Sequence, residues 1–326
     1  APIGDVIVGG NRLASDAQNG VRVRGGYFFD CGATCGLMVD FFCFDSVGDL
    51  NTVDSSVGGA EGLVLPFTDM DLSLSGGCAC LDDLEGVASS VPLDSLNVTS
   101  DTSVFSGGVY GRSRINSWFG CCQQSCCGCS SASLRHGFRW DVIYGYRYMQ
   151  LDETLTLNAT LAPATGVINA TDVYRTENDF HGFDVGMLYE IQRGRWSLEM
   201  LGRVGLGINF QRLAITGSGN RGGGLFAQYL NEGEYEHDKF TVIPEVNLNL
   251  AYALTCNLRA RFGYSFLLLT NVIRPGDQID TRIDGRFFDA TESIPLTDPL
   301  AFFPTVKYET ESMWLQGLNF GLEYWF

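Results

Sequence analysis

The residues best suited to chemistry in this chain are arginines and carboxylates that recur at every second position of extended apolar segments. In the segment 136–150, Arg139, Asp141 and Arg147 alternate with aromatic residues. A spacing of two places such side chains on one face of a β-strand, where opposite charges can pair. The set predicted to share one interior is Arg22, Arg24, Arg112, Arg114, Arg139, Arg147, Arg203, Arg259 and Arg261 with Asp40, Asp141, Asp184, Glu190, Glu199, Glu245 and Glu323.

Cysteines form a second set, and there are 11 of them. So many cysteines predict disulfides that form outside the cytoplasm. A structural metal site within 121–129 is the alternative. Because the number is odd, one thiol is free or paired between chains. The disulfide candidates are Cys31, Cys35, Cys78, Cys80, Cys121, Cys122, Cys126, Cys127 and Cys129.

Carboxylates without basic neighbours suggest a calcium site. Neither Lys nor Arg occurs between Arg24 and Arg112, and Ca²⁺ takes clustered oxygen ligands. The spacing does not match an EF-hand, and a solvated, self-repelling loop is the alternative. Apart from this calcium, no cofactor is predicted. The candidate ligands are Asp69, Asp71, Asp82, Asp83 and Glu85.

Two weaker motifs concern modification and catalysis. Asn97, Asn158 and Asn169 each begin an N-x-[ST] acceptor sequence, although such triplets also arise by chance. His181 and His237 each lie close to an aspartate, as in a hydrolase or a zinc site at the rim of a barrel. Because the G-x-S-x-G nucleophile motif is missing, the main prediction is a protein without enzymatic activity.

The elements that position these residues are predicted to be strands. In 195–211 the apolar residues share one face, whereas Gly, Glu and Arg share the other. Helical spacing would scatter them. The segments with this period are 20–30, 37–45, 108–118, 136–150, 182–191, 195–211, 240–254, 258–268 and 314–326.

These segments predict a membrane barrel rather than a soluble β-sandwich. They are longer than ordinary strands, their apolar face is rich in Tyr, Trp and Phe, and their polar face holds Gly and opposite charges. No run of about 18 apolar residues is present, which excludes a transmembrane helix. The net charge of −17 excludes a general nucleic-acid partner. The prediction is an all-β, antiparallel transmembrane up-and-down β-barrel of about ten strands, nine of them visible.

The connections give the predicted orientation and domains. Short turns at 31–36, 192–194 and 254–257 alternate with long connections at 46–107, 151–179, 212–238 and 270–311. Outer-membrane barrels alternate short periplasmic turns with long external loops. We therefore expect a bacterial outer-membrane protein whose loops face the cell exterior. The predicted division is an external or strand-donating N-terminal extension at 1–19 and a single barrel domain at 20–326, with a long acidic loop at 46–107 and a Cys-rich turn at 119–134.

The chain also resembles a known family. The segments 242–280 (VIPEVNLNLAYALTCNLRARFGYSFLLLTNVIRPGDQID) and 314–326 (WLQGLNFGLEYWF) are similar to the C-terminal part of the planctomycete outer-membrane barrel family called beta-barrel porin seven. The segments 25–44, 140–157 and 180–209 are similar to earlier parts of that family. The resemblance implies an outer-membrane barrel and carries over no catalytic residue. Phe326 resembles the C-terminal aromatic residue that the barrel-insertion machinery recognises.

One departure from the family concerns strand number. Members usually have an aromatic-rich strand before the first hairpin, and 1–19 does not resemble one. An even number of strands is the rule, and an unpaired edge in lipid is not tolerated. We therefore expect a tenth strand, which lies upstream, remains bound after cleavage, or comes from a neighbour by strand addition.

Three functions follow from these observations. The first is a structural or narrow-pore outer-membrane protein, because paired charges can fill the lumen of a small barrel. The alternative is a subunit of a cell-surface lattice or filament, assembled by strand donation or disulfides. The third is a rim hydrolase built on the two histidines. The expected partners are outer-membrane lipid, the insertion machinery and further copies of the chain.

Overall fold

The computed structural model describes residues 19–30, 32–54, 64–69, 87–120, 136–255, 257–288 and 303–324. Two short 3-10 helices, Pro275–Gln278 and Gly285–Phe288, accompany the strands. In the described part of the chain, no helix is long and apolar enough to cross a membrane. The strands are β1 (Gly20–Phe28), β2 (Cys35–Asp54), β3 (Val64–Asp69), β4 (Val87–Gly120), β5 (His136–Leu161), β6 (Ile168–Arg193), β7 (Trp196–Gly219), β8 (Gly233–Ala253), β9 (Leu258–Val272), β10 (Arg282–Ile283) and β11 (Glu311–Tyr324).

The main strands form one antiparallel sheet in the order β1-β2-β4-β5-β6-β7-β8-β9-β11. Each strand pairs with its neighbour in the chain, apart from the short β3 and β10, which pair with each other beside β4. Each of the nine strands of this path overlaps one of the nine segments with an apolar period of two. The predicted all-β, up-and-down antiparallel barrel fold is therefore confirmed.

Most of our predictions of long loops are wrong, because the strands extend into those segments. The predicted loop 46–107 contains the end of β2, all of β3 and the first half of β4. The predicted loop 151–179 shrinks to a turn at 162–167, because β5 and β6 each run for 26 residues. The predicted loop 212–238 likewise loses its ends to β7 and β8. The short turns at the other end of the sheet, which we call the short-turn end, agree with the prediction.

The strands extend beyond the predicted ends because their apolar residues change from the outward to the inward face of the sheet. On β5, Tyr144 and Tyr146 point outward and are 41% and 50% exposed. Directly after Tyr148, the inward residues Met149 and Leu151 become the apolar ones, each 1% exposed. Towards the short-turn end the sheet is therefore apolar outside and charged inside. Beyond Tyr148 it is polar outside and apolar inside, and we call this second part the cap.

The outward apolar surface below the cap has the height of a bilayer core. On β5 it runs from Phe138 to Tyr148, which at about 3.3 Å per residue and a tilt of about 40° spans about 25 Å. An aromatic row of Phe105, Tyr148, His181 and Phe210 bounds it towards the cap, with ring centroids 5.0–6.1 Å apart. The pairs Trp140–Tyr189 and Trp196–Tyr252 lie near the other boundary. We call this surface the apolar belt.

The interior of the cap is an apolar core filled by main chain. The chain of the predicted loop 270–311 turns inward at the end of β9. Its residues 271–288, here called the inward segment, pack inside the sheet together with residues 223–231. Asn271 makes this turn with a φ of 52°, a conformation that asparagine tolerates well. The buried residues are Val91, Leu93, Val98, Leu155, Ala159, Leu161, Ile168, Ala170, Tyr174, Leu213, Ile215, Leu225, Phe226, Ala227, Ile273, Ile283, Phe287 and Phe288.

The two end strands of the sheet, β1 and β11, are not paired with each other over the residues described. They are the first and last strands of a consecutive antiparallel order of nine, so they point in the same direction. One further strand between them would be antiparallel to both and would satisfy both edges. The structure does not show the direct closure that would contradict a barrel of ten strands, and that barrel stays a prediction.

Cross-linking across the gap between β1 and β11 tests the number of strands. We expect Val23→Cys to form no disulfide with Leu318→Cys, Phe320→Cys or Leu322→Cys. Side chains on adjacent strands lie about 5 Å apart, whereas strands separated by one intervening strand are about 10 Å apart. Oxidation followed by mass spectrometry of the peptides measures the outcome.

The matched control lies on the other side of β1. Val21 is directly opposite Cys43 on β2, and both are exposed. Val21→Cys should therefore cross-link to the native Cys43, and the test variants carry Cys43→Ser. An efficient disulfide within one chain between β1 and β11 would show direct closure and would contradict ten strands.

Candidate functional site

A cluster of fully buried charges lies inside the sheet at the level of the apolar belt. Arg147 on β5 contacts Asp184 on β6 at 2.6 Å and Glu245 on β8 at 2.7 Å. Arg203 on β7 contacts Glu245 at 2.7 Å. These four residues are at most 3% exposed. Inward-facing side chains of four adjacent strands, β5 to β8, therefore meet in one ion-pair cluster.

Charges from the first hairpin complete this cluster. Arg22 on β1 contacts Asp40 on β2 at 2.6 Å and crosses the interior to Glu245 at 3.0 Å. Arg203 contacts the same Asp40 at 3.0 Å. Arg22 also donates a hydrogen bond to Asn247 at 2.9 Å. The cluster thus joins β1 and β2 to β7 and β8 across the lumen.

A second charged layer lies nearer the short-turn end. Most of its members line a small cavity of about 30 Å³. The pairs are Arg24–Glu199 at 3.2 Å, Arg261–Glu199 at 2.5 Å, Arg261–Glu323 at 3.6 Å, Arg259–Glu190 at 3.3 Å, Arg112–Asp141 at 2.5 Å and Arg139–Asp141 at 2.6 Å.

The structure brings the sequence-predicted charges together almost completely. Of that set, Arg114 alone makes no ion pair with another described residue. Buried charges are costly unless they are paired, and guanidinium–carboxylate contacts supply the pairing here. The arrangement forms a polar core. Its ion pairs connect β1 and β2 to β7 and β8 across the interior. It offers no carboxylate pair free for acid–base chemistry within the described residues.

An apolar layer lies in the interior above the charges. It consists of inward residues from β4, β5, β6, β8 and β9 and lies between the charged layers and the cap. Its buried members are Val104, Met149, Leu151, Phe180, Ile243, Leu267, Leu269 and Val272. Water and ions would have to pass both this layer and the ion pairs to cross the lumen.

Side-chain amides fasten the inward segment above this layer. Asn178 donates to the carbonyl of Ile273 at 2.9 Å and accepts from the Ile273 amide at 3.0 Å. Gln211 donates to the carbonyl of Asn271 at 2.6 Å. Arg274 pairs with Glu153 at 2.8 Å. These contacts satisfy main-chain groups that would otherwise be buried without partners.

Asp172 fastens the other filling segment, residues 223–231. Its carboxylate accepts hydrogen bonds from the backbone amides of Phe226 at 3.2 Å and Ala227 at 2.9 Å. A Cβ at Gly224 would lie 1.9 Å from the Asp172 carboxylate, so this close approach requires glycine. Burial raises the pKa of Asp172 to about 6, although the backbone amides oppose this change.

The two histidines predicted at a rim lie on different faces of the sheet. His181 points outward, and its Nδ1 is 2.6 Å from the Tyr146 hydroxyl. His237 shares the inward register of Tyr235 and stacks on Tyr308 with a centroid distance of 3.9 Å. The described residues contain no group of His, Cys, Asp and Glu suited to a metal ion. The two histidines therefore do not share a zinc site in the described part of the chain, and the rim hydrolase stays a prediction.

The three acceptor asparagines converge, which sequence reasoning missed. Asn97 on β4 lies directly opposite Asn158 on β5. Asn158 accepts a hydrogen bond from Thr171 at 2.8 Å, and Asn169 accepts one from Thr160 at 3.2 Å. Only the strand register reveals this juxtaposition. Glycosylation of these asparagines stays a prediction.

Several predicted site residues lie outside the described residues. Among the cysteines, only Cys35 and Cys43 are described, and both have free thiols. The disulfides predicted for the other cysteines stay predictions. Asp69 lies on β3, whereas the other proposed calcium ligands are not described. Phe326, the predicted insertion signal, is likewise outside the described part.

The fold and the ion-paired interior define this protein as a β-barrel of the porin-like class. The chain matches the family described as Putative beta barrel porin-7 over residues 2–326, nearly its whole length, and it belongs to that family. Comparison with curated proteins and with solved structures gives no match.

Removing one charge of the central cluster should strongly destabilise the barrel. We expect Arg147→Met to lower the free energy of unfolding by about 3–5 kcal/mol, because Asp184 and Glu245 remain buried without their partner. Urea unfolding of protein folded into lipid vesicles measures the change. Arg212→Met is the control, since its exposed pair with Glu236 should matter little. Equal losses in the two variants would contradict a structural role of the cluster.

Acidification should stabilise the cap through Asp172. Because its folded-state pKa is raised to about 6 from 3.8, the carboxyl contributes stability that is fully present below pH 3.8 and lost as the pH rises through 6. The change is on the order of 3 kcal/mol. Unfolding of the native protein and of Asp172→Asn between pH 3.5 and 7.5 measures it, and the difference between them should carry this dependence. Parallel pH profiles would contradict the assignment.

Proposed function

We propose that this protein is a sealed outer-membrane β-barrel with a structural role, whose cap lies outside the cell. The charged layers fill the lumen at the level of the apolar belt, and the apolar layer and inward segment fill it above. The observation that carries the proposal is the complete burial of Arg147 and Asp184 in the middle of the lumen. A conducting pore would leave such groups in contact with water.

The exterior of the sheet supports the proposed location. The apolar belt has the height of the hydrocarbon region, and aromatic pairs lie near both of its boundaries. The short turns lie at the end opposite the cap, as in outer-membrane barrels with periplasmic turns. The outward face of the cap carries Thr, Asn, Asp and Glu, which suits contact with water. Lipid around the belt and the insertion machinery are the partners that this proposal implies.

The second candidate function is a subunit of a surface assembly. The observation that favours it is that β1 and β11 each have one free edge among the described strands, and such an edge could accept a strand from a neighbouring copy. The cross-linking described for the β1–β11 gap also tests this candidate. Disulfides that join two chains, rather than one, would favour strand donation between copies.

Electrical recording tests the sealed barrel. We expect the native protein to show no steady single-channel conductance in planar bilayers bathed in concentrated KCl, because ion pairs and apolar side chains occupy the lumen. An open outer-membrane porin reconstituted in the same bilayers is the positive control. Protease protection of the belt in matched vesicles confirms that the protein has inserted. Large, steady conductance from the inserted protein would overturn the proposal.

A further inference from the structure

The outward face of the cap carries a groove that the sealed lumen does not explain. Its volume is about 290 Å³, near the lower end of the range for small-molecule sites. It crosses β4, β5, β6 and β7 at the height of the three acceptor asparagines. Its polar lining includes Ser95, Asn97, Asn158, Thr160, Asn169 and Thr171.

The lining of this groove contains no ionisable side chain. Amides and hydroxyls supply its polar groups, and Ala and Gly supply the rest. Nearer the belt the same outward face becomes charged, with Asp152 opposite Glu177 and Gln150 opposite Asp179. The neutral groove therefore does not suit a phosphate or a metal ion. Without an aromatic or large aliphatic wall, it does not suit an apolar ligand either.

Hydrogen bonds between the strands leave defined groups for a ligand. Thr171 and Thr160 donate to the side-chain oxygens of Asn158 and Asn169, so the amide nitrogens of both asparagines remain as donors. The side-chain oxygen of Asn97 is shielded from solvent and accepts no hydrogen bond from the described residues. The groove thus presents the two amide donors, whereas the Asn97 oxygen lies beneath its surface.

Neutral amides and hydroxyls that lie side by side suit a ligand that both donates and accepts at neighbouring positions and has no charge. Sugar hydroxyls have this property, because each has one donor and two acceptor lone pairs. The serine and threonine hydroxyls of the lining can likewise both donate and accept, which such a ligand requires.

We propose that this groove binds one or two units of a neutral polysaccharide. The polysaccharide would come from the cell surface, either as a free chain or attached to lipid. This binding does not depend on whether the lumen conducts, because the groove lies on the opposite face of the sheet. A sugar covalently attached to Asn158 would occupy the same groove, so the mass of the intact protein must first show it to be unmodified.

Binding is tested with the full chain in a detergent that carries no sugar headgroup. Maltotriose, cellotriose and mannotriose are the neutral probes, and trigalacturonic acid is the charged probe of similar size. Saturation-transfer NMR detects contact, and titration gives the dissociation constant. We expect saturable binding of at least one neutral trisaccharide and at least tenfold weaker binding of the acid. Absence of saturable binding, or equal binding of the acid, would overturn the proposal.

Variants of exposed or half-buried residues locate the site. Asn97→Leu combined with Asn158→Leu should weaken binding at least tenfold, which corresponds to about 1.4 kcal/mol. Thr156→Val is the matched control, because Thr156 lies on the same face of β5 outside the groove, and it should bind like the native protein. Unchanged affinity in the double variant would place the sugar elsewhere and overturn the proposal.

A second variant guards against misfolding of the first. Ser218→Leu fills the groove from β7 without removing any of the hydrogen bonds described for the asparagines, and Ser218 is exposed. It should also weaken trisaccharide binding at least tenfold. Retention of native affinity in Ser218→Leu would contradict a site in this groove. Comparing free maltotriose with maltotriose linked to lipid in vesicles then distinguishes the two sources of the sugar.

Discussion

The ion-pair cluster around Arg147, Arg203 and Glu245 is the constraint on which the rest of the barrel depends. A sheet with an apolar exterior must place its polar side chains inside, where each unpaired charge would be costly. Two arginines that share one carboxylate link β5, β7 and β8, and Arg22 brings the first hairpin into the same network. The cluster thereby fixes the curvature of a sheet whose end strands are not paired with each other in the described residues.

The same strands meet two environments, and their side-chain pattern changes where the environments meet. Below Tyr148 the outward face is aromatic and the inward face is charged. Above it, Met149 and Leu151 face inward and threonines face outward. Because the change occurs between adjacent residues, the backbone can continue as one strand without a break in hydrogen bonding. One sheet can therefore serve both as a lipid-facing wall and as the shell of a cap with an apolar core.

The sequence allowed the nine strands and the charged interior to be predicted because both follow from one period-two pattern. The cap was missed because the phase of this pattern shifts by one residue after Tyr148, which resembles the end of a strand. In addition, the Thr, Asn and Asp residues on its outward face are polar residue types that are common in loops. The convergence of Asn97 and Asn158 could not be predicted. The two residues are 61 positions apart, and they meet only through the register between β4 and β5, which the sequence does not reveal.

The filling of the cap by main chain follows from the width of the barrel. In a barrel of about eight strands, inward side chains just fill the interior, and additional strands leave a wider space. The charged layer closes this space with long arginines, which reach across the lumen. An apolar interior has no side chain of such reach, so the inward segment and residues 223–231 enter it as backbone. Their buried carbonyls then require the donors Asn178 and Gln211, and their buried amides require the acceptor Asp172, which explains why polar residues occur within an otherwise apolar core.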